Sequence, residues 1–294
     1  MKRTHFYGLI DVARVSDPTE IRDLLRDDQL DRRFDARWPL LNGLLLGRLL
    51  RLLSFQKRRF PTFQPRDDHN RSSRHDALWT KLNDRAASLT TANSDVQSLA
   101  RWVQGLGNDE EVGILTQQAI GRLFVESYSA NSDSWAAARI LGAAPQVKGI
   151  AAFSPRRILK LRHAKELLAL KVNGDLAGVH ATGVALHNLV KGFQRMRLLY
   201  GDISQRSKLT PEAVGKECLF APALVLRQAT GSGKQTGCPY DKNTVFLFEL
   251  ESAHTASGAK DLVFLDATWS RCPAEAWVPA LLRAVWTFAT HVSN

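Results

Sequence analysis

Strand-like sequence falls in two places that lie far apart along this chain. One is a short run near the N-terminus that ends at "ARVSDP". The other is a block over residues 220–265, and the long stretch between them has helical spacing. Any sheet must therefore be closed by distant pairing, and helices must supply most of the mass. The expected fold class is mainly α with a small β region (α+β). At 294 residues the chain can bury a substantial core, and it is read as a single domain over residues 1–294.

Local signals fill in this outline. "ARVSDPTEIRDLLRDD" reads as a strand, a turn at Asp17-Pro18 and a helix, with Ser16 or Asp17 as N-cap and Pro18 at the first helical position. "RWPLLNGLLLGRLLRLLSFQKRRF" is leucine-rich, with Arg48 and Arg51 on one side. As a helix it is expected to bury most of its circumference in the core or along a substrate channel. An interfacial segment dipping into a lipid surface is the other reading. A polar, proline-marked connector, "FPTFQPRDDHNRSSRHD", follows. Residues 77–139 read as helical, with turns near Gly105–Asn108 and Asn131–Ser134. The segment from Ser154 to Asp202 is helical again, broken near Asn173-Gly174, and Thr210 before Pro211 caps a short helix. "APALVLRQAT", "GCPYDKNTVFLFELESAH" and "DLVFLDAT" carry the later strand signals. "DATWSRCPAEAWVPALLRAVW" closes on a turn that opens into an apolar helix.

The 40 Lys and Arg against 29 Asp and Glu leave a net charge of +11. These basic residues are scattered, and no zinc-finger, RNP or basic-zipper pattern accompanies them, so specific nucleic-acid binding is not expected. An acidic protein partner or weak contact with an anionic membrane surface remains as a reading of the charge. No uncharged apolar run is long enough to span a bilayer, and "MKRTHFYGLIDVARVSD" lacks a signal-peptide core. Cys218, Cys238 and Cys272 are odd in number, widely spaced and without a CxxC pair. That argues against a disulfide framework or a zinc site and points to a reducing, cytoplasmic compartment. "TGSGKQTG" fails the phosphate-loop spacing, with Gln228 at the first glycine position and Gln235 after Lys234, and reads as a hairpin turn.

Taken in order, five fragments resemble the cytochrome P-450 family of haem-thiolate enzymes. "VSDPTEIRDLLRD" is similar to the family's first strand and following helix, and "DLAGVHATGVALHNLV" to its long central helix over the haem. "KECLFAPALVLRQAT" is similar to the later helix that begins with a glutamate and leads into an arginine-bearing strand. "GCPYDKNTVFLFELESAH" resembles the subsequent hairpin and strand, and "RCPAEAWVPALL" the cysteine loop and the helix behind the haem. The chain departs from the family in its shortness and in "ATWSR" where a glycine-rich approach is usual. Phe220 stands where the E-x-x-R arginine belongs, four positions that open on Glu217. In the central helix His180 and Ala181 occupy the acid and alcohol positions, with Thr182 next.

The resemblance implies a truncated P-450-like helical fold that binds haem b (iron protoporphyrin IX), with Cys272 as the metal ligand. A cysteine at a turn before a helix sits near inward-facing N–H groups that favour the thiolate, which haem iron takes as an electron-donating axial ligand. Arg271 adds positive charge beside it. Arg227 is the best match for a propionate clamp, and the choice among His69, Arg71 and Arg74 for a second one is open. Gly178 would let the central helix approach the porphyrin. His180 would serve as acid–base near the iron, with Thr182 beside it. Cys218 and Cys238 are expected to be inert.

The implied function is a haem-thiolate oxidoreductase acting on an apolar organic substrate, fatty or terpenoid. Loss of the usual proton-delivery residues favours a peroxide or hydroperoxide as oxidant, while an acidic ferredoxin or flavodoxin docked on the basic surface would restore the dioxygen route. Two alternatives stand beside it. One is a catalytically inactive P-450-like helper or partner-binding protein. The other is a histidine-ligated haem oxygenase, for which His187 is the main rival ligand, ahead of His163 and His254.

Overall fold

The computed structural model describes residues 1–146, 154–235, 238–266 and 268–291. They fall into two compact units, one made of Met1–Asp76 with Ala221–Cys272, the other of Ala77–Phe220 with the segment from Pro273 onward.

Strands β1 (Lys2–Phe6) and β2 (Ile10–Val15) form a hairpin, and α1 (Pro18–Arg26) follows. Then come β3 (Leu30–Asp31), α2 (Leu40–Leu52) and the small pair β4 (Ser54–Phe55) and β5 (Arg58–Arg59). The helical middle holds α3 (Arg71–Ala87), α4 (Ser94–Val103), α5 (Glu111–Gly121), α6 (Ser132–Ala143) and α7 (Pro155–Lys171). Helix α8 (Leu176–His180) runs through a π-helical turn, Ala181–Ala185, into α9 (Leu186–Gly201), and α10 (Ile203–Arg206) and α11 (Pro211–Glu217) end the stretch. Strands β6 (Val225–Ala229), β7 (Gly233–Gln235), β8 (Cys238–Tyr240) and β9 (Val245–Phe248) precede α12 (Leu250–Ser257), α13 (Asp261–Phe264) and α14 (Trp277–His291).

In the first unit the main sheet has the order β1-β2-β9-β6-β3. Its centre is the distant pairing that the sequence demands: β2 lies parallel to β9, with Val12 opposite Val245 and Val15 opposite Phe248. The apolar run of β9 is buried at every position, as a central strand covered on both faces should be. Val245 and Leu247 join Val12, Phe34 and Leu46 in one cluster, while Phe246 stacks near Phe248 and meets Tyr240 edge-on. Each such buried side chain contributes about 1.5–3 kcal/mol. Asp17 caps α1 by accepting from the Thr19 and Glu20 amides at 2.9 and 2.8 Å, with Pro18 in the first turn.

Three expectations are corrected here. The leucine-rich helix α2 does not bury most of its circumference, so it offers no evidence for a substrate channel. It packs one face, through Leu46 and its neighbours, on the sheet, and leaves Leu40, Leu41 and Leu44 exposed. "DLVFLD" is helical in α13: no sheet edge pairs with it, its N–H groups close i→i+3 bonds, and Leu265 ends the turn at a φ of 57°. "ELESAH" likewise belongs mostly to α12, so strand sequence stops at Phe248. Of the "TGSGKQTG" stretch, Gly233–Gln235 form β7, which pairs antiparallel with β8; Thr236 and Gly237, where the expected turn falls, lie outside the described residues.

The second unit is a helical assembly with Trp102 and Trp286 among its largest buried side chains. Asn173 and Gly174 take left-handed φ of 52° and 75° and break α7 from α8. Thr210 caps α11 through the Ala213 amide. Gly192 of α9 faces the Cys218 carbonyl at the end of α11, where a Cβ would come within 2.5 Å of the oxygen. Among the described residues no helix is long and apolar enough to cross a membrane.

Candidate functional site

Cys272 closes a run of tight turns at the end of the first unit. The Thr268 hydroxyl donates to the Leu265 carbonyl at 2.8 Å, and the Cys272 amide donates to the Phe264 carbonyl at 2.7 Å. The loop folds back on itself and presents Trp269, Ser270 and Arg271 to the side chains around it.

Three buried arginines hold it. Arg227 of β6 donates to the Ser270 hydroxyl at 2.6 Å and to the Leu226 carbonyl at 2.6 Å. Arg32, just after β3, donates to the Ser270 carbonyl at 3.3 Å and to the Thr62 carbonyl. Arg71, opening α3, donates to the Trp269 carbonyl. Their guanidinium carbons lie 5.5, 5.4 and 4.6 Å from the Trp269 ring centroid, close enough for cation–π attraction. His75 adds a contact to the Arg271 carbonyl at 3.1 Å; since a carbonyl only accepts, Nε2 carries the hydrogen.

The cluster is short of negative charge. Burial pushes Arg32 far down from the ordinary arginine range, and repulsion from Arg227 and Arg71 adds to it, with Cys272 and Asp31 opposing. Burial pushes Arg227 down to about 9, and Arg71 is also lowered, again chiefly by burial. A guanidinium keeps its proton at neutral pH, so these shifts measure the cost of burying its charge. The adjacent carboxylate is already engaged: Asp31 accepts from the Arg32 and Arg66 amides at 2.6 and 2.8 Å and lies 3.5 Å from Arg33. The Nε atoms of Arg32, Arg71 and Arg227 and the Trp269 indole N–H are buried without a hydrogen-bond partner among the described residues. Unspent donors and poorly compensated cations beside a thiol fit a polyanionic group carrying carboxylates.

Of the sequence-expected residues, the first unit brings together Cys272, Arg271, Arg227 and Arg71. His69 and Arg74 are exposed and make no contact with the cluster in the hydrogen bonds described. Arg32, His75, Trp269 and Ser270 were not anticipated. Arg32 reaches the site because Asp31 pairs with Gln228, which puts the next residue beside the strand bearing Arg227. Nothing local in "LDRRF" signals that.

The second unit holds Gly178, His180 and Thr182. Gly178 is buried, and its missing side chain makes room for Val172 and Phe124, which a Cβ would approach to 2.9 and 3.2 Å. The Thr182 hydroxyl is fully buried and donates to the Gly178 carbonyl at 2.7 Å, while the Thr182 carbonyl accepts from Gln117 at 2.9 Å. His180 is half-buried just before the π-helical turn. Two of the rival ligands are engaged elsewhere, His187 with the Ala138 carbonyl through Nε2 at 2.9 Å and His254 with the Ala259 carbonyl at 3.1 Å, while His163 is exposed. Burial pushes the Cys218 thiol up to about 12, in keeping with an inert residue; the Cys238 side chain lies outside the described residues.

No described protein family and no curated protein matches this sequence. Solved structures do. A six-coordinated cytochrome P-450 from Thermus thermophilus superposes with a TM-score of 0.64 at 11% identity, covering 95% of this chain and 85% of that one. A variant of cytochrome P-450 OleT in complex with arachidonic acid gives 0.65 at 10% identity, covering 97% and 82%. Cytochrome P-450 BioI in complex with acyl carrier protein ligated to hexadec-9Z-enoic acid gives 0.58 at 13% identity, covering 99% and 87%. This chain has a cytochrome P-450-like fold, mainly α with a small sheet, in a shorter chain than these neighbours.

Proposed function

We propose that this protein is a haem-thiolate oxidoreductase that binds haem b, with Cys272 as the iron ligand, and oxidises an apolar organic substrate. The observation that carries this reading is the buried Arg32–Arg71–Arg227 cluster, with its unpartnered Nε atoms, around the loop that ends in the cysteine. Residues 1–294 act as one haem-binding domain in this reading. When bound, the haem supplies oxidative chemistry that moves an oxygen atom from peroxide to a substrate C–H bond, leaving an alcohol and, from hydrogen peroxide, water. Arg71 and Arg227, joined by Arg32, hold the propionates through charge-assisted hydrogen bonds. Arg271 and the cluster favour the ionised sulfur.

Gly178, His180 and Thr182 are assigned to the oxygen side. The Thr182 hydroxyl is spent on its own helix, His180 is assigned the acid–base role, and a peroxide oxidant demands less proton delivery than dioxygen does. The neighbours bound to fatty acyl chains support a fatty substrate. The net charge of +11 supports docking of an acidic ferredoxin or flavodoxin where dioxygen is used instead, in a reducing cytoplasmic compartment. A helper protein without catalysis is the second reading, favoured by Glu217, which spends its carboxylate on exposed Arg195 at 2.7 Å with Phe220 in the arginine position.

The test is the absorption spectrum of the haem-supplemented protein, reduced under carbon monoxide. A red-shifted Soret band that Cys272→Ala abolishes is the expected result. An ordinary haem–carbonyl band indicates histidine ligation, and no haem uptake indicates the helper.

A further inference from the structure

The tip of the β1–β2 hairpin and the start of α2 form one apolar knob. Phe6, Tyr7 and Leu9 are 63%, 94% and 46% exposed at the hairpin turn. Trp38, Leu40 and Leu44 are 58%, 53% and 48% exposed beside it. The two elements are fastened together. The Leu40 and Leu41 amides donate to the Gly8 and Leu9 carbonyls at 3.3 and 2.9 Å, and Gly8, at a φ of 70°, lies so close to the Trp38 ring that a Cβ would be 2.6 Å from it. Aromatic and leucine side chains are thus held in water by a built scaffold.

We propose that this knob docks on the surface of an anionic lipid bilayer. Charge decides the occupant. From Ala36 to Arg66 the chain contains no Asp or Glu, while Arg37, Arg48, Arg51, Lys57 and Arg58 all fall in that stretch. Helical periodicity sets Arg48 and Arg51 on the same face of α2 as Leu40 and Leu44, about one to two turns, or roughly 6–11 Å, beyond Leu44. Leucines and aromatics at the tip with arginines one to two turns back match the depth from acyl boundary to headgroup phosphates. A second copy docked face to face would set these arginines against their own equivalents. The acids nearest the hairpin, Asp11 and Asp241, are both engaged by Arg3. The site is independent of whether haem is bound.

The experiment is co-sedimentation of the purified full chain with phosphatidylcholine vesicles, with and without phosphatidylglycerol. Binding to the anionic vesicles should exceed binding to the neutral ones by about tenfold or more and fall steeply with salt. A Leu40→Glu/Leu44→Glu double variant should lose about tenfold or more of that binding with an unchanged thermal unfolding curve, whereas Leu170→Glu, an exposed leucine on α7, should not. Quenching of tryptophan fluorescence by brominated lipid should drop in Trp38→Phe. Equal binding to both vesicle types, no loss in the double variant, or a concentration-dependent dimer that the double variant dissociates would each overturn the proposal.

Discussion

Arg227 and Ser270 are joined by a 2.6 Å hydrogen bond that ties strand β6 to the loop two residues before Cys272. Both residues are buried, and the arginine brings a charge that no described carboxylate neutralises directly. Arg227→Met should therefore have effects of opposite sign in the two states of the protein. Without haem, removing a buried, poorly compensated cation should raise unfolding free energy by about 1–3 kcal/mol. With haem, loss of a propionate partner should weaken cofactor retention by about tenfold or more. Denaturation of the haem-free protein and haem transfer to apomyoglobin measure the two; a loss of stability in the haem-free protein would contradict the charge argument.

In the proposed haem site Arg71, rather than His69 or Arg74, would supply the second clamp. Arg71 reaches the Trp269 carbonyl and lies 4.6 Å from its ring, while the other two are exposed. Arg71→Ala should speed haem loss by about tenfold, and the same change at Arg74 should leave the rate near its original value. Stopped-flow haem transfer gives both numbers side by side.

What the sequence revealed was local. Asp17 with Pro18 and Thr210 with Pro211 each carry their capping chemistry within four residues, and the helices begin where those signals place them. The string around Cys272 and the arginine of "VLRQAT" stand out locally as well, and the fold brings the two segments together through Arg227 and Ser270. Arg32 was not, because only the Asp31–Gln228 pairing delivers it, across nearly two hundred residues of chain. The exposed side of α2 was hidden too: its leucines run around the whole helix, so the pattern cannot say which face the sheet will take. The buried Asn42 settles that, donating to the Asp11 and Asn243 carbonyls at 2.7 and 3.0 Å and so fixing the helix against β2 and the turn before β9.

Gly192 of α9 lies against the backbone at the end of α11. A Cβ there would sit 2.5 Å from the Cys218 carbonyl oxygen, and backbone cannot step aside as a flexible side chain can. Gly192→Ala should cost about 1–3 kcal/mol despite the better helix propensity of alanine. Gly201, with nothing near its Cβ position and at the end of the same helix, is the control: Gly201→Ala should be neutral or slightly stabilising. Chemical denaturation of the two variants checks the ordering.

The acid limb of the stability profile should run through Asp11. Burial alone would raise its pKa, but Arg3, donating to both carboxylate oxygens at 2.8 Å, and the Thr244 hydroxyl at 2.6 Å outweigh it and hold the group below its ordinary value. A folded-state pKa below the unfolded one means that the unfolded chain binds the proton first. The stabilisation is therefore complete above the ordinary carboxylate range and is lost as pH falls through the lower folded value, below about pH 4. Asp11→Asn leaves Arg3 with Asp241 and the Pro239 carbonyl and should cost about 2–4 kcal/mol near neutrality. The penalty should shrink toward acid pH, where the original protein loses the same contact. Urea unfolding across a pH series reads this directly, and a variant whose stability falls in parallel with the original at every pH would show that the acid limb belongs to other carboxylates.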